Sequence, residues 1–505
     1  MVDDDGGDLV DGSGMTPQRA RPAQPVPLAE AASRRLWTAV SVGQLAWGAL
    51  LVGAWLSLVW PSRMDPDYTS GEILDNTIAW AELGRLYGPI DQMPHRVFNY
   101  PPAFPAAVRA LMAAGIAPLL AGRLLTLASI VLVLLLVYRW LRVIGCDRTV
   151  TALVVSLFAS SFPLVYFVGQ FHLQWAAVGL SLVGCSLLRE PVSGARAAAA
   201  GLALALACLF KQTQVVSLVV MGTWLLVYHR RAVPAYAATA AMVSALGAAV
   251  VFGFFGREAW LHLVTYTVGT FSFDHLVLSL RKHGAAWTAP FLFGVWIAAR
   301  DPAGRRDARF WYFAGSSLWL LSTARAGAGP GYFIEWSCAT MLWIGPSLQE
   351  FSQTPRRRAW IAAALVAQLA ASDAIAATKL LDQVNRLRRT ERVLPELCAA
   401  LPVAPPTPIE SPGIARACGR TPALHPFIMT NLARRGLWDD HAFVRDIARG
   451  AFPVVVLPFD FSDGTFHRAE RWTPAMLLAV RDHYRLAERH GAWRVFRPAR
   501  VAGAE

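Results

Sequence analysis

Asp65-Pro66-Asp67-Tyr68 follows directly on an apolar run from about Leu36 to Trp60, and Asn99-Tyr100-Pro101-Pro102 closes the polar stretch behind it. Two carboxylates at a membrane–water boundary, ahead of a chain that re-enters the membrane repeatedly, are placed to act on a substrate held in lipid. A carboxylate partly buried there has its pKa raised and is suited to general-base work on an acceptor hydroxyl. Asp67 is equally suited to hold a divalent metal ion, the one cofactor for which the sequence leaves room, or to bind the acceptor. The plainer reading is that both residues cap the next helix or solvate a loop, as loop aspartates do. Pro66 stiffens the turn, and Asp65 ranks first as the base because it stands nearer the end of the span. This arrangement suits a membrane-embedded transferase better than a channel or a receptor.

Cations form the second group. Lys211 stands with Gln212 and Gln214 between two apolar runs. An ammonium there suits a lipid phosphate, although a lysine at a span end also simply snorkels to the interface. Arg281 and Lys282, with His283 beside them, form a second cationic cluster at the mouth of a later span. In Gly329-Pro330-Gly331-Tyr332-Phe333-Ile334-Glu335, the carboxylate of Glu335 falls inside an apolar run. Intramembrane carboxylates usually face a cavity or a partner; Glu335 fits a ligand for a sugar hydroxyl or a structural ion pair with Arg325. Gln170, His172 and Gln174 are a weaker polar cluster that could equally satisfy backbone groups. There is no glycine-rich phosphate loop, no metal-binding His pair at helical spacing and no nucleophile elbow.

These groups must be positioned by membrane helices. Of 505 residues 55% are hydrophobic and only 16% charged, and the mean hydropathy of +0.39 exceeds what a water-soluble core requires. Apolar runs of roughly 17–25 residues read as spans, which gives about eleven: 36–60, 118–140, 149–168, 172–188, 196–210, 213–229, 234–255, 284–299, 310–323, 333–349 and 359–375. The 196–210 and 213–229 pair reads as a tight helical hairpin. The 19 Trp fit two interfacial aromatic belts. The net charge of +13 is spread over short loops, as orientation signals are, and argues against nucleic acid as a partner. Arginines follow every even-numbered span, at 139–148, 189–196, 230–231, 300–309 and 356–358. Those loops are therefore expected in the cytoplasm, with the N-terminus inside and the Asp65 loop and C-terminal tail outside. No cytoplasmic loop is long enough for a nucleotide-binding Rossmann domain.

The expected fold class is mainly α: a polytopic helical bundle with a small C-terminal α/β domain. Residues 1–32 read as a disordered cytoplasmic tail and 33–375 as the transmembrane domain. Within it, 61–117 is an outer loop carrying an interfacial helix around Ile73–Leu86 and a second helix over Ala103–Leu120. Residues 376–505 form the extracytoplasmic domain. In it Phe452–Phe459 is a buried strand, Thr473-Pro474 opens a helix through about Glu488, and Trp493–Phe496 is a closing strand. Cys185, Cys208 and Cys338 read as packing residues, whereas Cys398 and Cys418 could pair if the tail lies outside.

In order and topology the motifs resemble those of GT-C glycosyltransferases, the group that includes protein O-mannosyltransferases and the bacterial lipid A aminoarabinose transferases. The resemblance rests on Asp65-Pro66-Asp67-Tyr68, Gly84-Arg85-Leu86-Tyr87, Tyr100-Pro101-Pro102, Lys211-Gln212 and Tyr332-Phe333-Ile334-Glu335, and on a tail with Phe427–Trp438 and Arg471-Trp472-Thr473-Pro474. It implies a polyprenyl-phosphate-linked sugar as donor and a first-loop aspartate at the catalytic centre. That role falls on Asp65 or Asp67, since Asp-Pro-Asp replaces the usual Asp-Glu. Donor-phosphate contacts fall on Lys211 and Arg281, and further substrate contacts on Tyr68, Tyr100, Gln212, Tyr332, Glu335 and His172. The implied activity is an inverting transfer to a glycan, lipid or protein acceptor on the outer face of the bacterial inner membrane. The rivals are a lipid-linked glycan translocase, which should show related halves and broken helices, and an envelope-assembly scaffold.

Overall fold

The computed structural model describes residues 28–499 apart from 268, 326, 352–354 and 464–469. Most of the expected N-terminal tail lies outside the described residues, as do the side chains of Arg356, Arg357 and Arg358. The chain opens with α1 (Leu28–Val59), α2 (Tyr68–Leu83), α3 (Ala103–Ala113), α4 (Pro118–Val143), α5 (Arg148–Ala159) and α6 (Phe162–Phe167). It continues through α7 (Gln174–Leu187), α8 (Gly194–Phe210), α9 (Val215–Tyr228), α10 (Val233–Trp260), α11 (Phe273–Ser279), α12 (Thr288–Arg300), α13 (Ala308–Trp319), α14 (Tyr332–Phe351) and α15 (Pro355–Ala400). The tail holds α16 (Pro412–Ala417), α17 (Pro426–Arg434), α18 (His441–Ala448), β1 (Val455–Leu457), α19 (Pro474–His483), β2 (Tyr484–His490) and β3 (Trp493–Pro498).

Among the described residues three helices are long and apolar enough to cross a bilayer: Thr38–Val59, Pro118–Val143 and Arg230–Thr265. The other expected spans are helical but shorter or more polar. Two of these spans and one helix of the 61–117 loop differ from expectation. The 149–168 run breaks at Ser160-Ser161, because Phe162-Pro163 puts a proline in the first turn of α6, where its missing N–H is no loss. The helix expected over Ala103–Leu120 ends at Ala113; Gly115 turns with φ +86, which favours glycine. The run 359–375 belongs to the continuous α15, so the expected domain boundary at 376 falls inside a helix.

The tail is built on the antiparallel sheet β1-β3-β2. Trp472, Met476, Val480, Phe443 and Phe452 bury against it to form a separate core. Thr473 caps α19 through the Met476 N–H, as its sequence suggests. The helix stops at His483, and the residues through Glu488 pair with β3 instead. Cys398 and Cys418 are disulfide-bonded, joining the end of α15 to the residue that follows α16.

The tail rests directly on the segment between α1 and α4. A Cβ on Gly71 of α2 would come within 2.6 Å of the Gly413 backbone nitrogen of α16, so two glycines allow the two chains to touch. Beside this contact Asp75 is fully buried and takes Arg96 at 2.7 Å, Arg416 at 2.6 Å and His425 at 2.8 Å. Burial alone would raise its pKa, but Arg96, His425 and Arg416 outweigh that and hold the carboxyl well below the usual range.

Candidate active site between two cavities

Asp65 and Asp67 are two residues apart and have opposite surroundings. Asp65 is 6% exposed. Its Oδ1 accepts from Arg123 Nε at 2.9 Å and Nη2 at 2.6 Å, and its Oδ2 accepts the Phe171 N–H at 2.6 Å. Arg123 donates its remaining hydrogens to the carbonyls of Trp60, Ser62 and Met64 at 3.0–3.1 Å, using the five donors of a guanidinium. Burial raises the Asp65 pKa, and Arg123 opposes it. The pair ties the chain leaving α1 to α4. The guanidinium supplies the positive charge that a divalent ion at Asp65 would supply, so this carboxylate does not fit a metal.

Asp67 caps α2 by accepting the Ser70 N–H at 3.0 Å, so the capping reading is correct for this residue. Its Oδ1 accepts from the Tyr166 hydroxyl at 3.5 Å. Burial raises its pKa, the Ser70 bond lowers it, and the Asp65 charge raises it further. Asp67 lines two cavities at once. Their walls also share Gly329-Pro330. The sequence ranks Asp65 before Asp67 as the base; in the structure both oxygens of Asp65 are engaged, while Asp67 lines both cavities.

The first cavity, about 410 Å³, brings Tyr100, His172, Lys211, Gln212 and Tyr332 together with Asp67. Lys211 is 7% exposed, donates to Gln174 Oε1, and places its ammonium 4.7 Å from the Tyr332 ring centre. No carboxylate lies within ion-pair distance of it among the described residues. Gln212 is anchored by donating to the Asn99 carbonyl at 2.7 Å. The imidazole of His172 is stacked on Phe167 at 3.8 Å between ring centres. Arg325, Arg434 and Arg435 add three cations. Arg325 donates to the Tyr332 hydroxyl at 2.8 Å and to the Thr267 carbonyl at 3.0 Å. Gly269 makes room for its stem, since a Cβ there would meet Arg325 Cγ at 2.3 Å.

The second cavity, about 660 Å³, lies between the helical bundle and the tail and takes in Asp65, Tyr68, Lys282, His283, Lys379 and Arg389. Tyr68 accepts the Phe427 N–H at 3.1 Å, and the Arg471 guanidinium lies 4.1 Å from its ring centre. Two expected residues stand apart. Arg281 is exposed and lines neither cavity; its neighbour Lys282 does. Glu335 also lines neither, and accepts from the hydroxyls of Ser217 and, at 3.3 Å, Tyr312. The alternative ion pair of Glu335 with Arg325 does not form, because Arg325 turns to Tyr332 and Thr267.

Sequence reasoning missed Arg123, Glu72, Arg434 and Arg435. Glu72 follows Asp67 by five residues, lines the first cavity, and is pushed up to about 7 by burial despite His425, Tyr68 and Arg471 nearby. Its helical offset of four from Tyr68 was the available signal. The three potential metal ligands that cluster among the described residues, Asp439, Asp440 and His441, line neither cavity.

No protein-family model matches the sequence, and no curated protein matches it. Solved structures do. ArnT from Cupriavidus metallidurans bound to undecaprenyl phosphate superposes with a TM-score of 0.58 at 13% identity, covering 91% of this chain and 99% of that one. The oligosaccharyltransferase of Archaeoglobus fulgidus gives 0.56 at 12% identity over 89% of this chain and 73% of its own. The same archaeal enzyme, AglB, in complex with an inhibitory peptide and a dolichol-phosphate gives 0.54 at 12%. The chain therefore shares the fold of these solved structures along nearly its whole length.

Proposed function

We propose that this protein is a membrane glycosyltransferase that moves a sugar from a polyprenyl phosphate to an acceptor on the outer face of the membrane. The observation that carries the reading is Asp67, standing in the common wall of two cavities. The first cavity suits the donor. Lys211 and Arg325 are fixed cations aimed into it, and Tyr100, His172 and Tyr332 offer ring faces and polar edges for a sugar. The second suits the acceptor, which would meet the donor across Asp67. The ligands of the solved structures, undecaprenyl phosphate and a dolichol-phosphate, support this class of donor.

The chemistry follows from that placement. Asp67 accepts the proton of the acceptor hydroxyl as its oxygen attacks the anomeric carbon. The bond from that carbon to the phosphate oxygen breaks on the opposite face, and its electron pair leaves with the phosphate. Lys211 and Arg325 meet the charge that develops, a fixed electrostatic stabilisation that needs no reorganisation. Attack opposite the leaving group inverts the anomeric centre. Asp65 holds the loop through Arg123. The Cys398–Cys418 disulfide supports a tail outside the cytoplasm, where disulfides persist.

The test is binding of undecaprenyl phosphate to the purified full-length protein in nanodiscs. Lys211→Ala should weaken it at least tenfold, and Lys211→Arg should retain part of it. Failure of the wild type to bind the carrier would remove the reading.

A further inference from the structure

The donor reading leaves one half-buried group of the first cavity unused. Glu72 sits on α2 one turn beyond Tyr68 and faces the same space as Asp67, Tyr100 and Lys211. Its Oε1 is shut off from solvent and has no hydrogen-bond partner. The Tyr68 hydroxyl, one turn before it on the same helix, accepts the Phe427 N–H at 3.1 Å. One acceptor oxygen of Glu72 is thus left without a partner among the described residues. A buried polar atom without a partner costs the fold unless something fills the place. The charged and titratable groups that face this carboxyl are His425 and Arg471 from the tail, Asp67 and Tyr68 from its own segment, and Tyr100 from the loop that precedes α3. None is bonded to Oε1.

We propose that Glu72 binds the sugar of the donor, accepting a hydrogen bond from a ring substituent and selecting sugars that present one there. The substituent is a hydroxyl or an ammonium; both are donors that fit an unpartnered carboxylate oxygen. The proposal rests on the donor reading above, and it adds a sugar-specific contact that the phosphate cations do not supply. Glu72 is then a binding residue.

The experiment compares three probes on the full-length protein in nanodiscs: undecaprenyl phosphate, the same carrier bearing a neutral hexose, and the carrier bearing an amino sugar. For each variant the readout is the affinity for a sugar-bearing carrier divided by that for the bare one. Glu72→Leu removes any acceptor and should cut this ratio at least tenfold for the preferred sugar, with bare-carrier binding unchanged. Glu72→Gln keeps a neutral acceptor. It should spare most of the ratio if a hydroxyl is bound and lose it if an ammonium is bound. Glu82→Gln, near the end of the same helix, should leave the ratio at the wild-type value. Should Glu72→Leu misfold, Glu72→Gln and Glu72→Asp carry the same comparison. Equal losses for bare and sugar-bearing carriers, or no loss for either, would overturn this inference alone. A wild type that binds no carrier would overturn the donor reading with it.

Discussion

Asp65 and Asp67 are the same side chain two positions apart in one loop, and the fold gives them different work. Arg123 reaches Asp65 from α4 and engages one oxygen twice, while a backbone N–H takes the other. No cation within ion-pair distance meets Asp67 among the described residues; a helix N-terminus and a tyrosine hydroxyl touch it, and two cavities open onto it. Burial raises the pKa of both carboxyls, so what separates them is access: the oxygens of Asp65 are taken by a guanidinium and a backbone N–H, whereas Asp67 lines both cavities. Residue type and spacing marked the loop, and the partners distinguish its two carboxylates.

The strongest way to break this comparison is Asp67→Asn. It should lower turnover by about 10²–10⁴, the usual effect of removing a general base, with the melting temperature close to wild type because asparagine can still cap α2. Next comes Asp65→Asn, which leaves Arg123 buried without its countercharge. It should destabilise the fold by about 3–5 kcal/mol, as breaking one side of a buried pair does, seen as a lower melting temperature and a poorer yield. Asp75→Asn tests the contact between tail and loop. The Asp75 pKa is depressed, so its contribution is present above about 3.9, the unfolded value, and is lost as pH falls through the folded one. The variant should melt below wild type at pH 7, with the gap closing in strong acid. The smallest effect belongs to Glu72. Its pKa is raised to about 7, so its contribution is fully present below the unfolded value of about 4.3 and is lost as pH rises through 7. Glu72→Gln should therefore gain slightly on wild type in melting temperature between pH 5 and 8.

Much of this was legible in local sequence. The acidic turn, Lys211-Gln212 and Tyr332 announced themselves because a charged or aromatic group beside an apolar run needs a reason to be there. Asp67 and Lys211 line one cavity. Arg123 was hidden because it lies 58 residues from Asp65 inside what reads as a plain span. Arg434 and Arg435 were hidden because the tail's packing on the loop, made possible by Gly71 and Gly413, cannot be read from either segment alone. The end of α15 was missed for a different reason. Charges from Lys379 onward end the hydropathy signal, but Leu, Gln, Lys and Arg are good helix formers, so the helix continues to Ala400. The reverse holds for Tyr484–His490, where pairing with β3 overrides helix-favouring residues.

The most direct test of the central claim is turnover per folded molecule in Asp65→Asn, measured beside Asp67→Asn on the folded fraction of each preparation. The account predicts that the folded Asp65→Asn protein keeps transfer within about tenfold of wild type while Asp67→Asn falls by the full general-base factor of about 10²–10⁴. A folded Asp65→Asn protein as inactive as Asp67→Asn, or an active Asp67→Asn protein, would contradict it.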